Sequence, residues 1–249
     1  MVYKNNYRTD IVFEKEKLDF IHTNYNIVTT NIEFNNFIYK IITFSNIDHN
    51  SIKEEIKKSL LFFFKYFNLR TNFHIFIVGL GNDNHTADSV GPKTLKHILV
   101  NSHISDFGVK LNYPKISALE PGVLGETGIE TKKIIESVVL EIKPDIIILI
   151  DSYVISNIDY LNSCIQISNE GIKPGSGLHN INTEISFKTM KVPVLVIGVP
   201  TAIEVNFENN NTYLLSTKEI DTYVIEISRI IGEAINEVLY HKWFMVIPL

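Results

Sequence analysis

Only one cysteine, Cys164, occurs in the 249 residues, so no internal disulfide can form. A reducing compartment is the simpler setting for such a chain, and a small buried apolar side chain is the role that the run Ser163 to Ser168 suggests for Cys164. A basic surplus is also lacking. The 23 Lys and Arg face 28 Asp and Glu, a formal charge of -5, whereas gripping phosphate needs a basic face. Any link to nucleic acid is therefore expected to be indirect. Long apolar runs are missing too: Leu60 to Phe64 and Ile146 to Ile150 fall far short of the roughly 20 residues of a membrane-spanning helix. The opening stretch, Met1 to Asp10, lacks the apolar core of a signal peptide. A cytoplasmic location with no membrane partner is the expectation.

What is present is enough apolar material, 45% of residues, to fill a core in a chain of this length. Ile27 to Phe34 and Phe37 to Phe44 are rich in β-branched and aromatic residues around an Asn35-Asn36 step, which predicts a hairpin. From Asn50 to Phe67 apolar residues recur at helical intervals after the capping-type run Ser51 to Glu54. Three short apolar runs follow, His74 to Val78, Asp145 to Ile150 and Val192 to Ile197, with a further strand at Tyr113 to Ala118. Helical stretches lie between them at Ser89 to Val100 and Thr127 to Ile142, the second closed by Lys143-Pro144. A last helix spans Lys218 to Tyr240. The alternation predicts a single α/β domain over residues 1–249, with a mostly parallel (mixed) sheet flanked by helices in three layers and an N-terminal β-hairpin extension.

In open α/β sheets ligands sit outside the carboxyl ends of the strands, and two of these ends deliver an aspartate. The first runs into Val78-Gly-Leu-Gly-Asn82 and on to Asp88; the second runs directly into Asp151. Two carboxylates held close together cannot both ionise cheaply, so one becomes a base and the other an acid. That division is what water-mediated amide hydrolysis requires. The structural alternative for Asp88 is a helix N-cap before Ser89, and for Asp151 a plain loop residue. Gly79 and Gly81 invite a dinucleotide-binding pattern, but Asn84 stands where the third glycine belongs, and a tight turn is preferred. Ser176, between Gly175 and Gly177, lacks the spacing of a nucleophile elbow. His85 and His179 are the histidines nearest this edge. Asp88, Asp151 and His179 form the alternative, a metal-ligand set.

The ordered stretches Val78 to Asn82, Thr86 to Pro92, Pro121 to Thr131, Lys143 to Asp151, Ile165 to Ser168, Gly171 to Gly177 and Val192 to Thr201 together resemble the spore germination protease family. The resemblance covers about Arg8 to Thr201, and Met245 to Pro248 is similar to the family's C-terminal segment. It implies an endopeptidase of the aspartate type that degrades small acid-soluble spore proteins during germination, in the forespore or spore core. The fold it implies is similar to that of hydrogenase maturation peptidases. Asp88 and Asp151 match the family's proposed catalytic aspartates, and Gly79, Gly81, Asn82, Gly177, Pro200 and Thr201 fall in the matching active-site loops. No cofactor is implied. The resemblance further implies a zymogen that trims its own N-terminus at Asp10-Ile11, with residues 1–10 as a propeptide-like segment, and a homo-oligomer, a tetramer. Cleavage after an acidic residue needs a cationic or amide-rich pocket, for which Lys93, Lys132 and Lys133 are candidates by location.

Overall fold

A computed structural model of the chain describes residues 10–12, 27–70, 72–107, 113–174, 184–206 and 212–240. The Gly175 to Gly177 turn, His179 and the segment Met245 to Pro248 lie outside the described residues.

The first predicted feature forms as expected: strands β1 (Ile27–Phe34) and β2 (Phe37–Phe44) make a hairpin. Phe34 faces Phe37 across a two-residue loop. Its Asn35 and Asn36 hold φ at 50° and 68°, the left-handed conformation that asparagine tolerates and this turn requires. Helix α1 (His49–Tyr66) follows, burying Ile52, Ile56, Leu60, Phe63 and Phe64 on one face.

Strand β3 (His74–Gly79) leads through a 3-10 turn (Thr86–Asp88) into α2 (Val90–Leu95). The predicted helix to Val100 is cut short. Asn236 accepts a hydrogen bond from Leu99 N at 3.0 Å and donates one to His97 O at 2.7 Å, taking over backbone groups that a continuing helix would have paired internally. Short α3 (Ser102–Asp106) precedes β4 (Lys115–Leu119). The single helix expected from Thr127 onward is two, α4 (Leu124–Thr127) and α5 (Thr131–Ile142), because Gly128 turns the chain with φ at 69°. Lys143 caps α5 in the left-handed conformation just before Pro144, where the sequence placed the stop.

Next come β5 (Ile146–Ile155), β6 (Cys164–Ser168), α6 (Phe187–Met190), β7 (Val194–Asn206), β8 (Thr212–Leu215) and α7 (Ile220–Tyr240). The second apolar run thus belongs to a strand that continues through Asp151 to Ile155, and the third to one reaching well past Ile197.

Eight strands form one open mixed sheet in the order β1-β2-β6-β7-β5-β3-β4, with β8 added to β7. β7, β5, β3 and β4 are parallel, and the hairpin side is antiparallel. Residues alternate between two helical layers. Ile75, Ile77, Ile146, Ile148 and Ile150 pack with Leu60 of α1 and Ile227, Ile231 and Ile235 of α7. Phe76, Val78, Ile147 and Leu149 pack with Ile135 and Val139 of α5. Burial on both faces is why these strands read as unbroken apolar runs.

Candidate active site

At the carboxyl end of β3, Leu80 N donates to Ile150 O at 2.8 Å, and the chain then leaves the sheet. Gly81 makes the turn at φ 109°, where a Cβ would lie 2.0 Å from Asp88 O. Asn82 N donates to that same oxygen at 2.9 Å, and Asp88 N donates to His85 O at 2.7 Å. Residues 81–88 therefore close on themselves and carry Asp88 back across the sheet edge. The following helix presses directly on strand backbone: a Cβ on Gly91 would sit 2.3 Å from Leu80 O and 2.6 Å from Ile150 O, and one on Gly79 would sit 2.6 Å from Gly91 C. The glycines serve this close approach, the bland alternative to a dinucleotide pattern. Asp88 is not the cap of α2 either. That position is Ser89, with no side-chain capping bond.

Asp151 is the first polar residue after five fully buried β5 residues, and it pairs in register with Gly198 of β7. Its Oδ1 accepts from Ser152 N at 2.9 Å, while Ser152 Oγ accepts from Val90 N at 3.3 Å and ties β5 to α2. The β5–β7 register shifts between Tyr153–Pro200 and Val154–Ala202, leaving Thr201 as a bulge. Bulges re-aim side chains, and here the buried Thr201 hydroxyl donates to Ala87 O at 2.5 Å, fastening the turn that bears Asp88. Ser216 Oγ in turn donates to Thr201 O at 2.5 Å.

Both aspartates, each half-buried, line one cavity of about 630 Å³ at this edge. Gly81, Thr201, the Gly122 to Gly125 loop, Val154 and the exposed Leu214 and Leu215 complete much of its wall. Of the three candidate lysines, Lys132 lines the cavity. Lys93 is committed to Asp83 at 2.9 Å and Ser89 at 2.8 Å, and Lys133 pairs with Glu130 at 3.3 Å. Hydrogen bonds from Lys96 and Lys93 hold the Asp83 carboxyl below its ordinary range, which pins the loop to α2. His85 lines the cavity as an exposed residue.

Gly79, Asn82 and Pro200 shape the edge without lining the cavity. Asp10 and Ile11 do not line it, but Asp10 binds Val154, which does. Gly177 and His179 lie outside the described residues, and among the described residues no three His, Cys, Asp or Glu side chains are grouped to hold a metal ion. Sequence reasoning passed over Ser152, Val154 and Gln166. The one available signal was a glutamine in the middle of a strand whose neighbours, Ile165 and Ile167, are fully buried.

The sequence profile of the germination protease family matches residues 39–215. The germination protease of Clostridium acetobutylicum is 35% identical over 195 residues, 77% of this chain and 60% of that protein. That of Priestia megaterium is 41% identical over 157 residues, covering 62% and 42% respectively. That of Bacillus licheniformis is 44% identical over 145 residues, covering 57% and 39%. The chain thus spans about two fifths to three fifths of the length of these curated relatives.

Proposed function

We propose, since the chain belongs to the germination protease family, that it is an endopeptidase whose Asp88 and Asp151 carboxylates activate water. The observation that carries this is their convergence: two acids from distant stretches of sequence line one cavity where β3 ends beside the continuing β5. Its volume, about 630 Å³, suits several side chains of an extended peptide. Two carboxylates that share one water cannot both ionise cheaply, so the mechanism assigns one as the base and the other as the acid. The ionised carboxylate takes a proton from water as it adds to the peptide carbonyl. The protonated one supplies the leaving amine. Half-burial favours this division, because each group keeps a route to solvent while losing part of its hydration.

The substrates we assign are small acid-soluble spore proteins, cut during germination in the spore core by a homo-oligomer. Cleavage after an acidic residue fits a wall that offers Lys132. Self-trimming at Asp10-Ile11 belongs to the same proposal. The test is incubation of the purified chain with a spore DNA-coating protein. Discrete fragments that vanish in Asp88→Asn and Asp151→Asn are the expected result, and undiminished cutting by either folded variant would overturn the pairing.

A further inference from the structure

Residues Asp10 to Val12 lie against the sheet, with a bend at Ile11 and helical conformation at Val12. Asp10 N donates to Val154 O at 3.0 Å, and the Asp10 carboxylate accepts from Val154 N at 2.9 Å. Those two groups of β5 are open to it because β3 stops pairing with β5 at Gly79 and Ile150. Ile11 and Val12 are fully buried among Tyr39, Ile41 and Tyr160.

One side chain grips this segment on both sides of the Asp10-Ile11 bond. Gln166 Oε1 accepts from Val12 N at 2.8 Å, and Gln166 Nε2 donates to Asp10 O at 3.4 Å. Gln166 is 1% exposed, so its amide has no bulk water to turn to. The Tyr153 hydroxyl lies beside the Gln166 amide. The Tyr153 ring reaches Gln166 across Gly198, where a Cβ would lie 2.1 Å from the ring. Asp151 pairs with that same Gly198, which pairs in turn with Gln166. Asp151 also precedes Tyr153 by two positions on the same face, about 7 Å along a strand. The gripped bond therefore lies over the row of residues that ends at a cavity aspartate.

A buried glutamine could serve packing alone, but packing needs no donor aimed at this carbonyl. When water adds to the Asp10 carbonyl carbon, negative charge develops on the very oxygen that Nε2 faces, and an oriented N–H donor lowers the energy of that state. We propose that Gln166 is the carbonyl-holding residue for self-trimming at Asp10-Ile11, a role that rests on the peptidase function proposed above. The balance is simple. Water adds to the carbon, the C–N bond to Ile11 breaks, Ile11 N takes a proton and Asp10 ends with a second carboxylate; Gln166 gains and loses none.

The test uses the full chain and follows the appearance of the Ile11 amino terminus by intact mass. Gln166→Glu keeps the shape and the acceptor for Val12 N but loses the donor. Trimming slowed on the order of 100-fold is expected, as for loss of one such donor, with the thermal midpoint held. Lower pH should shrink the deficit relative to the unsubstituted chain, because a protonated Glu regains a donor. Gln166→Met, of similar length and apolar, serves if the first variant fails to fold; it should trim as slowly but without rescue by acid. Trimming at the unsubstituted rate in either folded variant overturns the role of Gln166. An unsubstituted chain that never trims defeats self-trimming itself, and this role with it.

Discussion

A carboxylate placed directly after Ile146 to Ile150 would be costly to bury, and Asp151 escapes that cost by standing where the sheet opens into a cavity. This is why the residue was legible in sequence: an acid directly after a run of five buried apolar strand residues has few structural uses. Asp88 was less so, since its neighbour opens a helix, and only the closed loop over residues 81–88 separates it from a cap. Thr201 could be placed near the site but not given its task, because a bulge depends on the register of two strands distant in sequence. Thr201→Val should cost about 1 kcal/mol by removing the hydroxyl from Ala87 O. It should also lower kcat more than it raises KM, because the turn bearing Asp88 loses its tether; denaturant titration beside steady-state kinetics reads both. Lys132→Gln should raise KM for peptides cut after an acidic residue while leaving a neutral analogue unaffected, measured as paired kcat/KM values.

Helix α2 is held against strand backbone by glycine rather than by side-chain packing, and this contact sets the height of the Asp88 turn. Gly91→Ala forces a Cβ against Leu80 and Ile150 backbone atoms. Overpacking of that kind costs about 1–3 kcal/mol, so the thermal midpoint should fall and peptidase activity with it. Helices α1 and α7 are joined differently, by charge. Lys53 meets Glu237 at 2.6 Å and Lys57 meets Glu237 at 2.9 Å, with a His49–Glu233 hydrogen bond of 2.7 Å beside them. Burial opposes ionisation of Glu237, yet the two lysines hold its carboxyl below the ordinary value of 4.5. A depressed carboxyl stabilises the fold above its unfolded pKa, and the contribution fades as pH falls through the folded value. Thermal midpoints taken downward from pH 6 should therefore drop less steeply for Glu237→Gln than for the unsubstituted chain. The helices themselves were visible as periodic apolar spacing, but their ends were not. Asn236 cuts short the chain after α2 from a different helix, and no local pattern announces that.

Across the whole molecule, the sheet brings together four pieces of sequence that function would need at one edge: the loop after β3, the end of β5, the bulge of β7 and the Asp10 to Val12 segment. Alternation of strands and helices foretold the class of fold, because parallel strands covered on both faces cannot be other than apolar. Strands β6 and β8 were not foretold, being short and antiparallel additions whose pairing is set by β7. Gln166 was hidden for the same reason, since its meaning appears only when β6 lies beside β7 and the amino-terminal segment crosses above. The most direct measurement is the intact mass of the full chain over time, for the unsubstituted protein and for Asp88→Asn and Asp151→Asn. The expected result is loss of the segment ending at Asp10 from the unsubstituted chain alone, with both variants folded and whole. Removal of that segment at an unchanged rate in either folded variant would contradict the paired-aspartate mechanism.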